Sequence, residues 1–217
     1  MVASLTPPDL AIVARHIDQS VRMHGMSWQA YEALLAWRGE SSAVRMTFLE
    51  GELELTTPSI DHEDLKTRLA RIVEAWAEES DVALEGAGSW TLKNEAVERG
   101  AEPDECYTVG SLRGARVPDF AIEVIWTHGG IDKLEVYRKL GVGEVWIWQG
   151  SELSFHILRG ERYARSARSG VLPAFDPELA ARCMMADSQT AAVKKLREAM
   201  RAPLRRSTSK GRAKKKR

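Results

Sequence analysis

The chain has 217 residues, 31 of them Lys or Arg and 31 Asp or Glu, so its formal net charge is zero. With 44% hydrophobic and 29% charged residues it lies near the globular norm of about 45–50% and 25%, which excludes wholesale disorder. No apolar run approaches the roughly 18 residues of a membrane helix, the N-terminus lacks the charged-then-apolar order of a secretion signal, and Cys106 and Cys183 form no CxxC pair, so a cytosolic protein without zinc or a disulfide framework is expected.

Residues 1–24 open on a Pro-Pro turn signal with weak amphipathic character (Leu10, Ile12, Val13, Ile17, Val21) and read as an N-terminal arm or short helix. Ser27 is placed to cap a helix whose apolar stripe is Trp28, Tyr31, Leu34 and Leu35. Alternation of Met46 and Phe48, then Leu53 and Leu55, about Glu50-Gly51 predicts a β-hairpin. Beyond Pro58-Ser59, Leu65, Leu69, Ile72, Val73 and Trp76 recur at helical spacing, with Asp61, Glu63 and Asp64 at the positive end of the helix dipole. Short strands are predicted at Val82–Leu84, Ser89–Leu92 and Cys106–Val109, with KNEAVERG and SLRGAR as loops. PDFAIEVIW is nearly all apolar and reads as a central strand buried on both faces. IDKLEVYRKL forms a helix stopped at Gly141, and EVWIW, SELSFHIL and a strand through Tyr163 follow, with Trp146 and Trp148 as sheet packing. One or two C-terminal helices pack through Leu179, Met184 and Met185. Helices flanking a mixed β-sheet make an α/β sandwich over residues 25–200.

From Arg201 the composition changes. The last segment, RAPLRRSTSKGRAKKKR, has nine basic residues, no acidic ones and one large aliphatic, Leu204. Without it the body holds 22 basic against 31 acidic residues, a charge of −9. Residues 201–217 read as a basic disordered tail. Arg205, Arg206, Lys210, Arg212, Lys214, Lys215, Lys216 and Arg217 are either a solvated extension or a nonspecific phosphate clamp for nucleic acid.

The chemical anomaly is Glu123, a carboxylate in the middle of the apolar strand, because buried charges are paired or hold a metal. Alternation puts Asp119 on the same face, but about 13 Å away at 3.3 Å per residue, so a second ligand has to come from a neighbouring strand. Asp104, in the PDEC segment, is the best placed. Two strand-borne carboxylates suit a hard divalent cation, Mg²⁺ or Mn²⁺. Lys133, in the first turn of the following helix, would orient water or neutralise developing charge. The set suggests metal-assisted hydrolysis of a phosphodiester. Asp119, Glu54 and His62 are assisting candidates, while His16, His24, His128 and His156 lie near no matching partner.

SWQAYEALL, TFLEGELELTTPSIDHEDLKTRL, VERGAEPDECY and PDFAIEVIWTHGGIDKLEVYRKLGVGEVWIW, in that order between Ser27 and Ile157, resemble the Uma-two family of restriction-endonuclease-like proteins. The resemblance implies the PD-(D/E)XK nuclease fold, a mixed sheet flanked by helices, with Mg²⁺ (or Mn²⁺) bound by Asp104 and Glu123 and DNA as substrate. The superfamily's lysine two residues after the Glu is missing, since Ile125 stands there. Many relatives carry instead a lysine four residues before a tyrosine of the next helix, as Lys133 stands before Tyr137. The expected activity is a metal-dependent endodeoxyribonuclease, paired as a homodimer if both strands are cut. The alternatives are a hydrolase of RNA or another phosphoester and a catalytically inactive binding or assembly module, which the substitution at Ile125 motivates.

Overall fold

The computed structural model describes residues 16–126 and 130–213, with side chains as far as Ala202. It is a mixed α/β structure with two sheets. Strands β1 (Gln19–Met23), β2 (Arg45–Leu49), β3 (Glu52–Thr57), β5 (Leu92–Asn94) and β6 (Arg99–Ala101) make an antiparallel sheet in the order β1-β3-β2-β6-β5. Strands β4 (Leu84–Gly86), β7 (Glu105–Val109), β8 (Phe120–Ile125), β9 (Glu144–Gln149), β10 (Glu152–Arg159) and β11 (Arg162–Ser166) make the second, in the order β11-β10-β9-β8-β7-β4. Only β8 and β9 run parallel in it, and helix α3 (Lys133–Leu140) supplies the crossover that a parallel pair requires.

Local chemistry accounts for most of the boundaries. Ser27 caps helix α1 (Trp28–Arg38) by accepting the Ala30 N–H. Glu50 and Gly51, both at positive φ, form the two-residue turn of the β2–β3 hairpin, the twist such hairpins favour. Ser59 caps helix α2 (Ile60–Glu79), and Gly141, at φ +82°, ends α3 in the left-handed conformation. Gly100 is obligatory for packing, because a Cβ there would run into the Tyr31 ring.

Strand β8 divides the interior. Phe120, Ile122 and Val124 face the main core with Leu69, Ile72 and Trp76 of α2, Trp146 and Trp148 of β9, and helices α4 (Pro177–Met184) and α5 (Gln189–Ala213). Each such buried side chain contributes about 1.5–3 kcal/mol. Ala121 faces a smaller core with Cys106, Val136, Tyr137, Val145 and the β5–β6 end of the first sheet. A third cluster packs Trp28 and Tyr31 of α1 on Phe48 and Leu53.

Several expectations need correction. Residues 19–23 are neither helix nor free arm but an edge strand paired with β3, from Gln19↔Thr57 to Met23↔Leu53. The KNEAVERG segment contains the end of β5, a 3₁₀ turn (Glu95–Val97) and the start of β6, and the two preceding strands lie two to three residues later than predicted. Met185 is 70% exposed, so Leu179 and Met184 carry the packing without it. Of the expected tail, the described backbone continues α5 as helix to Ala213, since extending an existing helix avoids the nucleation cost, and Arg201 pairs with Glu79. Among the described residues no helix is long and apolar enough to cross a membrane.

Candidate active site

The β7–β8 register pairs Glu105 with Ile122 and Cys106 with Ala121; one step further along, Asp104 lies opposite Glu123. Cross-strand partners project to the same face, which sets Asp104 on the strand edge next to Glu123. Both are nearly inaccessible to solvent. Asp104 Oδ2 accepts the Val124 N–H at 2.7 Å, binding the carboxylate to the strand that carries Glu123. Its Oδ1 meets the Arg45 guanidinium and, at 3.0 Å, Nε2 of His62.

Glu123 is held from helix α3. Lys133 Nζ lies 2.5 Å from Oε2, and the Tyr137 hydroxyl donates to Oε1. The two donors are four residues apart, the spacing that stacks side chains on one helix face. Asp132 caps this helix through the Leu134 and Glu135 N–H groups, which fixes where Lys133 emerges. Burial first, and then the negative charge of Glu123, push the Tyr137 phenol well above its ordinary value, so it stays a neutral donor.

His62, in the first turn of α2, bridges two carboxylates. Its Nδ1 is 2.9 Å from Asp18 Oδ2, while Asp18 Oδ1 accepts the Ser59 N–H at 2.7 Å. Burial alone would raise the Asp18 carboxyl, but the hydrogen bonds from His62 and Ser59 outweigh it and hold the group below its ordinary value. Glu54 of β3 accepts the Ile131 N–H at 3.2 Å and lies 3.7 Å from Arg22. A Cβ at Gly130 would sit 3.0 Å from its Oε2, so glycine lets that loop approach the carboxylate.

Glu123, Lys133, His62, Glu54 and Asp18 line a cleft of about 420 Å³, together with Ile125 and Trp126. Asp104 stands behind His62 and faces an adjoining pocket with Arg45, Glu63 and Lys66. Among the described residues no three His, Cys, Asp or Glu side chains are grouped as a metal cluster. The donor set nonetheless fits a hard divalent cation, which is commonly held by one or two carboxylates with water and phosphate completing its shell. Asp104 and Glu123 would be those two, and Arg45 and Lys133 now supply the countercharge.

Of the predicted residues, the cleft gathers Glu123, Lys133, His62 and Glu54, and Asp104 adjoins it through His62 and the Val124 N–H. Asp119 is excluded: at the other end of the strand its carboxylate accepts the Val109 N–H at 2.7 Å, closing the β7–β8 loop. The side chains of the eight basic tail residues and His128 lie outside the described residues. Sequence reasoning missed Arg45, Asp18 and the direct role of Tyr137. An arginine opening a buried, mostly apolar strand and the spacing of Lys133 to Tyr137 were the available signals for two of them.

A crystal structure of "a putative nuclease belonging to DUF820" from Anabaena variabilis ATCC 29413 is similar to this chain, with 12% identity over 79% of this chain and 99% of that one and a TM-score of 0.49. No curated protein matches the sequence. The model of the Uma2 family, described as "Putative restriction endonuclease", matches residues 28–181. That span takes in both sheets except the edge strand β1 and every residue lining the cleft except Asp18 and Ser20, and the chain belongs to the Uma2 family.

Proposed function

We propose that the protein is a metal-dependent endonuclease that hydrolyses DNA phosphodiester bonds at the Asp104–Glu123 pair. The observation that carries this reading is the Lys133 ammonium on Glu123 at 2.5 Å in the wall of a cleft, with Asp104 bound to the Val124 N–H of the same strand. Mg²⁺ or Mn²⁺ held by Asp104 and Glu123 would supply Lewis-acid polarisation of a phosphoryl oxygen. The chain's own groups divide the remaining work. Lys133, partly exposed, reaches the cleft and offsets negative charge that develops on the phosphate. Tyr137 and the Val124 N–H fix one oxygen of each carboxylate, and His62 and Arg45 orient the rest of Asp104. Lys133 thereby takes the place left by Ile125, which only lines the cleft. Cutting both strands of a duplex would take two copies. The two buried, unpaired cysteines suit a reducing cytosol.

Nicking of supercoiled plasmid in Mg²⁺, absent in EDTA and absent in Glu123→Ala, is the expected result; nicking that survives Glu123→Ala unchanged sinks the reading. A second reading, a nuclease-fold module without catalysis, draws on the salt bridges that already engage both carboxylates. Calorimetric titration with Mn²⁺ separates the two: no binding at millimolar ion favours the module.

A further inference from the structure

The cleft has two unlike walls. On one side the register pairs Ser20 with Thr56 and Arg22 with Glu54, so the hydroxyls of Ser20 and Thr56 share a face with the Glu54 carboxylate. On the other side stand Ile125, Ile147 and Leu134, only partly buried, and Trp126, 43% exposed. The indole N–H of Trp126 already donates to the His16 carbonyl at 3.0 Å, so the ring has only apolar, π-rich surface left to offer. A volume of about 420 Å³ is that of a small-ligand cleft. Its charge is adverse to a duplex, because Asp18, Glu54, Glu123 and Asp132 outnumber Lys133 among the charged side chains lining it. Duplex DNA brings a negative charge about every 1.7 Å, whereas a single base brings a flat apolar face and a hydrogen-bonding edge.

We infer that the cleft takes one unpaired nucleobase, stacked against Trp126 and the apolar wall with its edge toward Ser20 and Thr56, so that the substrate is single-stranded DNA or a base extruded from a duplex. The choice of a nucleotide as ligand rests on the nuclease reading; the preference for an unpaired one rests on the walls of the cleft.

Fluorescence anisotropy of the full chain in EDTA, with a labelled single strand, its perfect duplex and the same duplex carrying a mismatched bubble, tests this without cleavage. The single strand is expected to bind at least about tenfold tighter than the perfect duplex. A bubble that binds like the single strand identifies extruded bases as ligands too; one that binds like the duplex restricts the ligand to free single strands. Trp126→Ala should weaken single-strand binding by about 5- to 150-fold, equivalent to about 1–3 kcal/mol for one stacked base, and Trp126→Phe should retain most of it. Circular dichroism checks that both variants fold. Equal or tighter binding of the perfect duplex, or unchanged single-strand binding by Trp126→Ala, overturns the inference. A Trp126-dependent single-strand preference without cleavage in Mg²⁺ upholds the cleft's ligand and removes the nuclease reading, while cleavage without that preference does the reverse.

Discussion

Lys133 reaches back ten positions to place its Nζ 2.5 Å from Oε2 of Glu123, so the loop between strand and helix is closed by the very groups proposed to act. Replacing Lys133 with Met should lower cleavage by about 10²–10³-fold, the usual loss when one donor to a developing oxyanion is removed. Lys133→Arg should recover part of it. Rates of plasmid nicking at saturating Mg²⁺ measure both, and a Lys133→Met variant with the parent's rate would contradict the role.

Tyr137 donates to Glu123 from full burial, and nothing else reaches Oε1 among the described hydrogen bonds. Tyr137→Phe removes the donor and little volume. A hydrogen bond to a charged group is worth about 1.5–3 kcal/mol, and urea denaturation should show a loss of that size with an unchanged slope.

Asp18 yields a pH signature. Its carboxyl is held below 3.8 in the folded chain, so it stabilises the fold fully above that value, and the contribution is lost as pH falls through the folded value. Wild type should therefore exceed Asp18→Asn in stability by a constant margin at neutral pH and lose that margin below about pH 4. Chemical denaturation of both proteins along a pH series measures it; a margin that persists at pH 2 would show that the Asp18 charge is not its source.

Glu102 makes a separate polar network in the first sheet. It accepts both Arg38 guanidinium nitrogens at 2.5 and 2.6 Å, the Thr91 hydroxyl at 2.6 Å and the Met46 N–H at 2.9 Å. Arg38→Ala strands a buried carboxylate and should cost about 3–5 kcal/mol. Adding Glu102→Ala should cost less than the sum of the single changes, and a double-mutant cycle in urea reads the coupling directly.

The proposed chemistry was more legible in the sequence than its setting. Glu123 stood out because a charge inside PDFAIEVIW demands a partner, and Lys133 because a helix had to start at the same end of that strand. Asp18 and Arg45 did not stand out, since their significance comes from meetings with His62 and Asp104 across 44 and 59 positions, which no local periodicity encodes. The hairpin at Glu50-Gly51 and the Ser27 cap were readable for the opposite reason: their determinants lie within four residues. Strand β6 escaped notice because Arg99-Gly100-Ala101 lacks alternating apolar residues and is held by β2 and β5. The helical backbone beyond Arg201 was hidden by its charge, although an upstream helix was ready to propagate into it.

The two-sided character of β8 has a consequence for how the protein can change. Its even-numbered residues, Phe120, Ile122 and Val124, are committed to the large core, while Ala121 and Glu123 belong to the compartment beside the cleft. Folding and chemistry thus draw on alternate side chains of one strand. A lineage could retune or silence the reactive side and leave the scaffold standing, so within the family a preserved architecture is weak testimony to preserved activity, and the oxygens around Glu123 are the place to look.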